Sequence, residues 1–417
     1  MINTSQLRAK FIEVRNRSIS LCEPLAAEDH VVQPVMDVSP PKWHLGHTTW
    51  FYENVILKPY LKDFQVYNEN YNYVFNSYYE SFGKRVLRTD RGNLSRPTVN
   101  EVRKYRKYID ESMLQFFEQH KEIDSSLAYL IETGLNHEQQ HQELLVYDIK
   151  YILGHNPMFP AYQEEKQAPD VESKMPAHYQ EVDGGVYEIG YQGDKFYYDN
   201  EKGVHKVYLH PFKYLNRLVT NQEYQEFIHD NGYQRFDLWL SEGWEWVKQN
   251  QITSPLYWHH IDGKWMNYKL SGLEEVQANE PVTHINYFEA NAFASWKKQR
   301  LLTEFEWEVA ARIQVPKAED GNFIESGYNH PVPAKTEWNQ MLGDGWEWTQ
   351  SAYLPYPFFE RLDGALGEYN GKFMVNQMVL RGGSCATPQN HIRLSYRNFF
   401  HPHLRWHFTG IRLAESL

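Results

Sequence analysis

The sequence has little of what several common protein classes require. Its 417 residues include two cysteines, Cys22 and Cys385, which excludes a disulfide scaffold and a cysteine-rich zinc site. It has no strongly basic run, and its formal net charge is −12, which argues against nucleic acid as a partner. No apolar stretch approaches the ~18 residues that a membrane span needs. The first residues lack the apolar segment of a secretory signal, so we expect a cytoplasmic protein.

Aromatic residues, by contrast, are abundant and make up 16% of the chain. Such a share is typical of aromatic-lined cavities or of a loop-rich fold held together by packed rings. The length predicts two or three domains. With so few cysteines, histidine, aspartate and glutamate are the plausible metal ligands.

Helical periodicity dominates the first part of the chain. One helix is predicted around residues 5–23, and a second starts at Ser39-Pro40-Pro41 and runs through KWHLGHTTWFYENVIL. Pro97 opens a third helix, and Asp124 caps a fourth that runs to about Leu153. Four helices in this order predict an antiparallel bundle over residues 1–157.

The pattern changes after the bundle. Residues 158–178 are rich in proline and charge, which predicts a linker. From 179 to 417, short β-like runs such as YEIG, HKVYLHPF, MVLRGG and GIRLA alternate with turn residues, and TNQEYQEFIHDN and NYFEANAFASWKKQ have helical periodicity. The sequence therefore predicts an α+β protein of two domains.

Histidines on two bundle helices form a candidate metal site. On the fourth helix, His137 and His141 lie four residues apart on an apolar stripe, which brings their β-carbons to roughly 5–6 Å. The second helix supplies His44 and His47 in WHLGHTTWF. Side chains from facing helices converge inside a bundle, so one further ligand from the second helix would complete a three-histidine set. The alternative is a group of hydrogen-bonded core histidines.

The stretch HEQQH, residues 137–141, also matches the zinc-protease pattern H-E-x-x-H. A zinc protease needs a third ligand, and one form of the motif requires glycine where Leu144 stands. Glu164 and Glu165 follow at a suitable distance, but they lie in the proline-rich linker and not on a helix. A zinc hydrolase therefore remains the weaker alternative.

Several longer motifs carry a resemblance to a known family. SPPKWHLGHTTWF, YNYVFNSYYE, RGNLSRPT and HEQQHQELL together resemble the iron-dependent sulfoxide synthases of ergothioneine biosynthesis, the EgtB family. The first half of those enzymes is a DinB-like four-helix bundle. The second half of the chain, with GDGWEWT and LRGGSCATPQNHIRLSYRNFF, resembles the formylglycine-generating enzyme and sulfatase-modifying domain, a C-type-lectin-like fold.

The resemblance implies a reaction and a metal site. His47, His137 and His141 would hold Fe(II), and O2 would be the co-substrate. The iron would bind the imidazole of hercynine and the thiolate of a cysteine-containing donor, giving C–S bond formation with S-oxygenation. Neutral imidazoles suit ferrous iron, although spacing alone does not favour iron over zinc. The resemblance also makes Tyr78 and Tyr79 the active-site tyrosines, because a phenol can donate the proton that the reaction needs.

The same resemblance implies substrate contacts. Gln140 would hydrogen-bond hercynine, and Arg88 and Arg91 would hold the carboxylate of the thiol donor. In the second domain the candidate substrate-binding residues are Tyr353, Tyr356, Asn398, Phe399 and Phe400. Cys385 is the one thiol near the C-terminus, so the cysteine pair of the formylglycine-generating enzymes is missing and the domain is expected to be a scaffold.

The donor thiol separates two branches of the family. Enzymes that use γ-glutamylcysteine have Trp-Asp where this chain has Phe399-Phe400, which favours the branch that uses free cysteine. The rivals of similar architecture are a γ-glutamylcysteine enzyme, an ovothiol-type enzyme that joins cysteine to histidine, and a selenoneine synthase. The rivals from other classes are the zinc hydrolase and a non-catalytic lectin-like binding protein.

Overall fold

A computed structural model of the protein describes residues 2–164, 166, 175–336, 340–361 and 367–417. It divides into two compact units. The first unit is Met1–Gln163 with Leu362–Tyr369, and the second is Glu164–Arg361 with Asn370–Leu417. Residues 165 and 167–174 of the predicted linker lie outside the described residues. The exact domain boundaries therefore stay predictions.

The first unit is a helical bundle. Its helices are α1 (Ser5–Ser20), α2 (Pro41–Phe51), α3 (Lys58–Tyr60), α4 (Asn70–Phe75), α5 (Val99–Gln119) and α6 (Ser125–Gly154). A π-helical turn, Tyr52–Leu57, joins α2 to α3. Two short strands, β1 (Ile2–Asn3) and β2 (Glu122–Ile123), pair antiparallel. The four long helices are those that the periodicity predicts.

Local sequence explains where these helices begin. Pro41 occupies the first turn of α2, where no backbone N–H is needed. Helix α5 begins two residues later than predicted, because Thr98 and Glu101 form a reciprocal capping box that makes Thr98 the N-cap. The Asp124 carboxylate caps α6 as predicted, by accepting a hydrogen bond of 2.9 Å from the Leu127 N–H.

A glycine in α2 allows helix α4 to approach α2 closely next to His47. A β-carbon on Gly46 would lie 2.1 Å from the Phe75 ring of α4, so no larger residue fits without movement of that ring. The close packing of α4 places the Phe75 carbonyl oxygen 2.6 Å from Nδ1 of His47. Gly46 therefore helps to bring the two helices close enough for this contact.

In its described residues, the second unit contains short strands and four α-helices. Its strands are β3 (Tyr179–Val182), β4 (Gly185–Ile189), β5 (His205–Leu209), β6 (Phe212–Leu215), β7 (Trp258–Ile261), β8 (Lys264–Lys269), β9 (Gly272–Glu275), β10 (Arg300–Leu301), β11 (Trp346–Ala352), β12 (Met378–Arg381), β13 (Asn398–Phe400), β14 (Thr409–Gly410) and β15 (Leu413–Ser416). Its helices are α7 (Asn221–His229), α8 (Ser241–Asn250), α9 (Tyr287–Trp296) and α10 (Glu304–Gln314).

These strands form two four-stranded sheets, in the orders β10-β15-β6-β3 and β13-β12-β11-β14, with smaller sheets β4-β5 and β7-β8-β9. Among these described strands, β11 and β14 pair parallel and the other pairs are antiparallel. Buried ion pairs such as Arg412 with Glu347, at 2.8 Å, reinforce the core of this unit. Among the described helices of the whole chain, none is both long and apolar enough to cross a membrane. The cytoplasmic location stays a prediction.

Candidate metal centre

Three histidines converge inside the first unit. Helix α2 contributes His47, and α6 contributes His137 and His141, one turn apart. One ring nitrogen from each lies within 4.8 Å of the others, and among the described residues this is the cluster whose geometry suits a metal ion. His47 and His137 are fully buried, and His141 is half-buried. The structure thus brings together the three predicted ligands.

Hydrogen bonds orient these imidazoles for metal binding. Nδ1 of His47 lies 2.6 Å from the Phe75 carbonyl oxygen, which can only accept, so Nδ1 carries the proton and Nε2 presents a lone pair. That Nε2 lies 3.2 Å from Nε2 of His137. A shared metal ion would satisfy both nitrogens at once, so the donor set fits a metal.

The electrostatics keep the ligands neutral. Burial lowers the pKa of His137 to about 4. Burial, followed by the charge of neighbouring groups, also holds the pKa values of His47 and His141 well below the usual value. Neutral imidazole is the form that binds metal. The centre is therefore ready to bind a cation near pH 7 without first losing protons.

Aromatic rings enclose the centre. The Trp43 indole stacks on the His47 ring with centroids 4.7 Å apart, and Trp50 lies nearly parallel to the same ring at 5.7 Å. Phe51 lies 5.1 Å from His137. These rings limit the rotation of the imidazoles and exclude water from one side of the site.

The glutamate of the H-E-x-x-H stretch does not serve this centre. Glu138 is fully buried, and its carboxylate bonds Arg15 at 3.0 Å, Ser18 at 2.6 Å and also Arg106. Burial alone would raise its pKa, but Arg106 and Arg15 outweigh burial and lower it to about 2. A carboxylate held by two guanidinium groups is a poor general base. The protease alternative therefore loses its catalytic residue.

Gln140 has a partner that sequence reasoning missed. The Tyr369 hydroxyl donates a hydrogen bond to Oε1 of Gln140, and the Tyr369 ring meets the edge of His137 with centroids 5.7 Å apart. Next to it, the Glu368 carboxylate accepts hydrogen bonds from the backbone N–H groups of Glu80, at 2.9 Å, and Ser81, at 3.1 Å. The segment ending at Tyr369 belongs to the first unit, although no local pattern in the sequence places it there.

The predicted tyrosine pair lies beside the histidines. The rings of Tyr78 and Tyr79 stack with centroids 4.6 Å apart, and the Tyr79 ring is 6.5 Å from that of His47. Asn76 fixes the turn, because its side chain bonds both the N–H and the carbonyl of Tyr79. Burial raises the pKa of Tyr78, so this phenol, already protonated near pH 7, keeps its proton at higher pH as well.

The two arginines predicted to bind substrate differ in burial and in position. Arg91 is buried, its guanidinium lies 3.3 Å from the centre of the Trp43 ring, and it donates to the hydroxyls of Ser39 and Ser77. Arg88 is exposed and donates to the carbonyl of Asp37 at 2.6 Å. Only Arg91 thus adjoins the rings around the metal centre, while the proposed contact of Arg88 with substrate stays a prediction.

The predicted residues of the second unit differ in burial: Tyr353 and Tyr356 are buried, and Asn398, Phe399 and Phe400 are half-buried. The Tyr353 ring stacks on Phe399 at 4.0 Å, and its hydroxyl accepts a hydrogen bond of 2.9 Å from Asn200. Tyr356 donates to Glu304 at 3.0 Å. Asn398 accepts a hydrogen bond from the Phe399 N–H, and Phe400 packs against His407 at 4.1 Å. Their roles toward substrate stay predictions.

Comparisons with known proteins divide the chain in the same way. A DinB superfamily model matches residues 10–145. A model of the sulfatase-modifying factor enzyme 1-like domain matches residues 165–319 and 314–417, which is more than half of the chain. The hercynine oxygenase of Mycolicibacterium smegmatis is 29% identical over 444 residues, covering 99% of each chain. The chain belongs to the sulfatase-modifying factor family. The match to a hercynine oxygenase along almost its whole length supports its resemblance to the EgtB family.

Other relatives share parts of the chain. The hercynine oxygenase of Mycobacterium tuberculosis is 34% identical over 241 residues, which span 52% of this chain and 56% of that protein. The formylglycine-generating enzyme of Streptomyces coelicolor is 25% identical over 244 residues, or 48% of this chain and 76% of that protein. The predicted α+β fold class is confirmed, and so, at the level of the family, is the prediction of an oxidoreductase.

Proposed function

We propose that this protein is a non-haem Fe(II) sulfoxide synthase that joins cysteine to hercynine with O2. The observation that carries the proposal is the set of three neutral histidines on α2 and α6, in a chain that matches a hercynine oxygenase over 99% of its length. Imidazole nitrogens suit ferrous iron, and three protein ligands leave positions for other groups. Bound Fe(II) would supply the electron transfer to O2 and hold the reacting groups together.

The overall reaction balances as follows. Hercynine loses the hydrogen of one ring carbon and cysteine loses its thiol hydrogen, while a C–S bond and an S–O bond form. One oxygen atom of O2 ends in the sulfoxide and the other in water. The four electrons that reduce O2 come from the C–H and S–H bonds and from the oxidation of sulfur to the sulfoxide.

The residues around the histidines have defined tasks in this proposal. Gln140, held by Tyr369, orients hercynine with its amide group. Tyr78 and Tyr79, whose phenols stack beside His47, hold and deliver protons. The buried guanidinium of Arg91 offers a planar, charged partner for the cysteine carboxylate.

The donor thiol is tested by offering cysteine and γ-glutamylcysteine to the Fe(II)-loaded protein with hercynine. The Phe399-Phe400 position provides no carboxylate to organise arginines around a glutamyl group. We expect kcat/KM for cysteine to exceed that for γ-glutamylcysteine by at least about tenfold, the value of one charge-assisted contact of about 1.4 kcal/mol. Product mass spectrometry and initial rates measure both.

A preference for γ-glutamylcysteine would refute the choice of donor and leave the reaction type intact. Histidine in place of hercynine serves as the control for an ovothiol-type enzyme, and we expect much slower turnover with it. A hydrolase activity is not expected, because the Glu138 carboxylate is bound by Arg15 and Arg106.

A further inference from the structure

Another histidine, which is buried, lies behind the metal centre. His44, one turn before His47 on α2, is 4% exposed. Its Nδ1 lies 2.8 Å from Nδ1 of His141, and its Nε2 lies 2.8 Å from Oδ2 of Asp148. The backbone N–H of Ser39 donates to the same Asp148 oxygen at 2.8 Å. A continuous chain of hydrogen bonds therefore leads from a carboxylate, through His44, to a metal ligand.

With His44 neutral, the hydrogen bonds allow one arrangement of protons. The carboxylate oxygen of Asp148 already accepts from Ser39 and can only accept again, so Nε2 of His44 carries a proton. Nδ1 of neutral His44 is then an acceptor, and Nδ1 of His141 must donate to it. With its proton on Nδ1, His141 presents the lone pair of Nε2.

The burial of Asp148 and the charges around it support this placement of the protons. Asp148 is 2% exposed, and a charge in such a place requires a compensating partner. Burial lowers the pKa of the Arg91 guanidinium, while the negative charge of Asp148 acts in the opposite direction and attracts it. Arg91 also donates a hydrogen bond of 2.9 Å to the Ser39 hydroxyl. Arg91 and the Ser39 N–H thus stabilise the carboxylate that begins the chain.

We propose that Asp148 and His44 are positioning residues that fix the tautomer and ring orientation of His141, and thereby set the affinity of the centre for Fe(II). The inference rests on the proposed metal centre. The Phe75 carbonyl does the same for His47. Among the described residues, Nδ1 of His137 has no hydrogen-bond partner, so two of the three ligands are held by partners behind them.

The first test compares Fe(II) affinity between variants of the full chain. His44→Phe keeps a ring but removes both hydrogen bonds, and we expect it to weaken Fe(II) binding about 10–100-fold, measured anaerobically by chelator competition. His44→Gln keeps an amide N–H for Asp148 and a carbonyl for His141, so it should restore most of the affinity. Asp148→Asn should fall between the two. His30→Phe, another buried histidine replacement in the same unit, should bind as the unaltered chain does.

The second test reads the tautomers directly. In 15N NMR spectra of histidine-labelled full chain, metal-free and Zn(II)-loaded, His141 should carry its proton on Nδ1 and His44 on Nε2. An Nε2 proton on His141, or Fe(II) binding in His44→Phe equal to that of the unaltered chain, would overturn the proposed positioning role of Asp148 and His44. If the unaltered chain bound no Fe(II), the proposed function would fail. The NMR spectra would still show whether His44 fixes the tautomer of His141.

Discussion

Replacement of His137 by alanine is expected to abolish Fe(II) binding and O2-dependent turnover while the chain stays folded. The imidazole of His137 is one of three whose ring nitrogens lie within 4.8 Å of one another. Loss of a direct ligand should cost more than the about 10–100-fold in affinity that supporting residues contribute. Folding should survive, because the change removes a buried polar group that lacks a partner at Nδ1.

Anaerobic titration with Fe(II) measures metal binding, and a separate circular dichroism spectrum shows whether the variant is folded. His155→Ala is the matched control, because this histidine lies just beyond the same helix and is exposed. It should bind Fe(II) normally. Normal Fe(II) affinity in His137→Ala would show that the metal lies elsewhere.

The largest effect on stability is expected at Glu138. Glu138→Ala leaves the buried guanidinium of Arg106 without its carboxylate and leaves Arg15 with Asp110 as its remaining carboxylate partner. Removal of one partner from a buried ion pair costs about 3–5 kcal/mol, so the free energy of unfolding of the bundle should fall by that order, measured by urea denaturation. Glu13→Ala removes an exposed partner of Arg17 at 3.8 Å and should cost less than about 1 kcal/mol.

The contribution of Glu138 to stability is expected to depend on pH. Folding lowers the pKa of Glu138 from 4.5 to about 2, so the unfolded chain binds this proton more readily than the folded chain does. The stabilisation is therefore present above pH 4.5 and is lost as the pH falls toward 2. Glu138→Gln should flatten stability against pH in this window. An unchanged slope would contradict the assignment of the Arg15–Glu138–Arg106 network.

The sequence predicted the bundle because its signals are local. Apolar spacing and caps such as Asp124 mark α6 well. It did not predict that α6 is buried on most sides around His137. The polar residues opposite the apolar stripe, Glu138 and Gln142, are buried because they bond partners on α1. Such pairing depends on distant residues, which a periodicity does not reveal.

The candidate site was predictable where ligands share a helix turn, as His137 and His141 do. Tyr369 was missed because it is far from Gln140 in sequence and joins the first unit through a separate segment. The role of His44 was also missed, because nothing in the motif WHLGHTTWF distinguishes a metal ligand from a histidine that supports one. Their hydrogen bonds distinguish them: His47 faces the ligand cluster, and His44 links His141 to Asp148.

In the second unit, the runs YEIG, HKVYLHPF, MVLRGG and GIRLA overlap strands β4, β5, β12 and β15, and the two predicted helices correspond to α7 and α9. Helices α8 and α10 and the β7-β8-β9 sheet were not predicted. Their segments mix aromatic and charged residues, so neither the helical nor the strand period dominates.

The central claim is tested most directly by oxygen uptake measured together with product mass. The Fe(II)-loaded protein, given hercynine and cysteine, should consume one molecule of O2 for each molecule of hercynylcysteine sulfoxide formed, and neither should occur when Fe(II) or either substrate is omitted. Product formation without O2, or equal uptake by His137→Ala, would contradict the account.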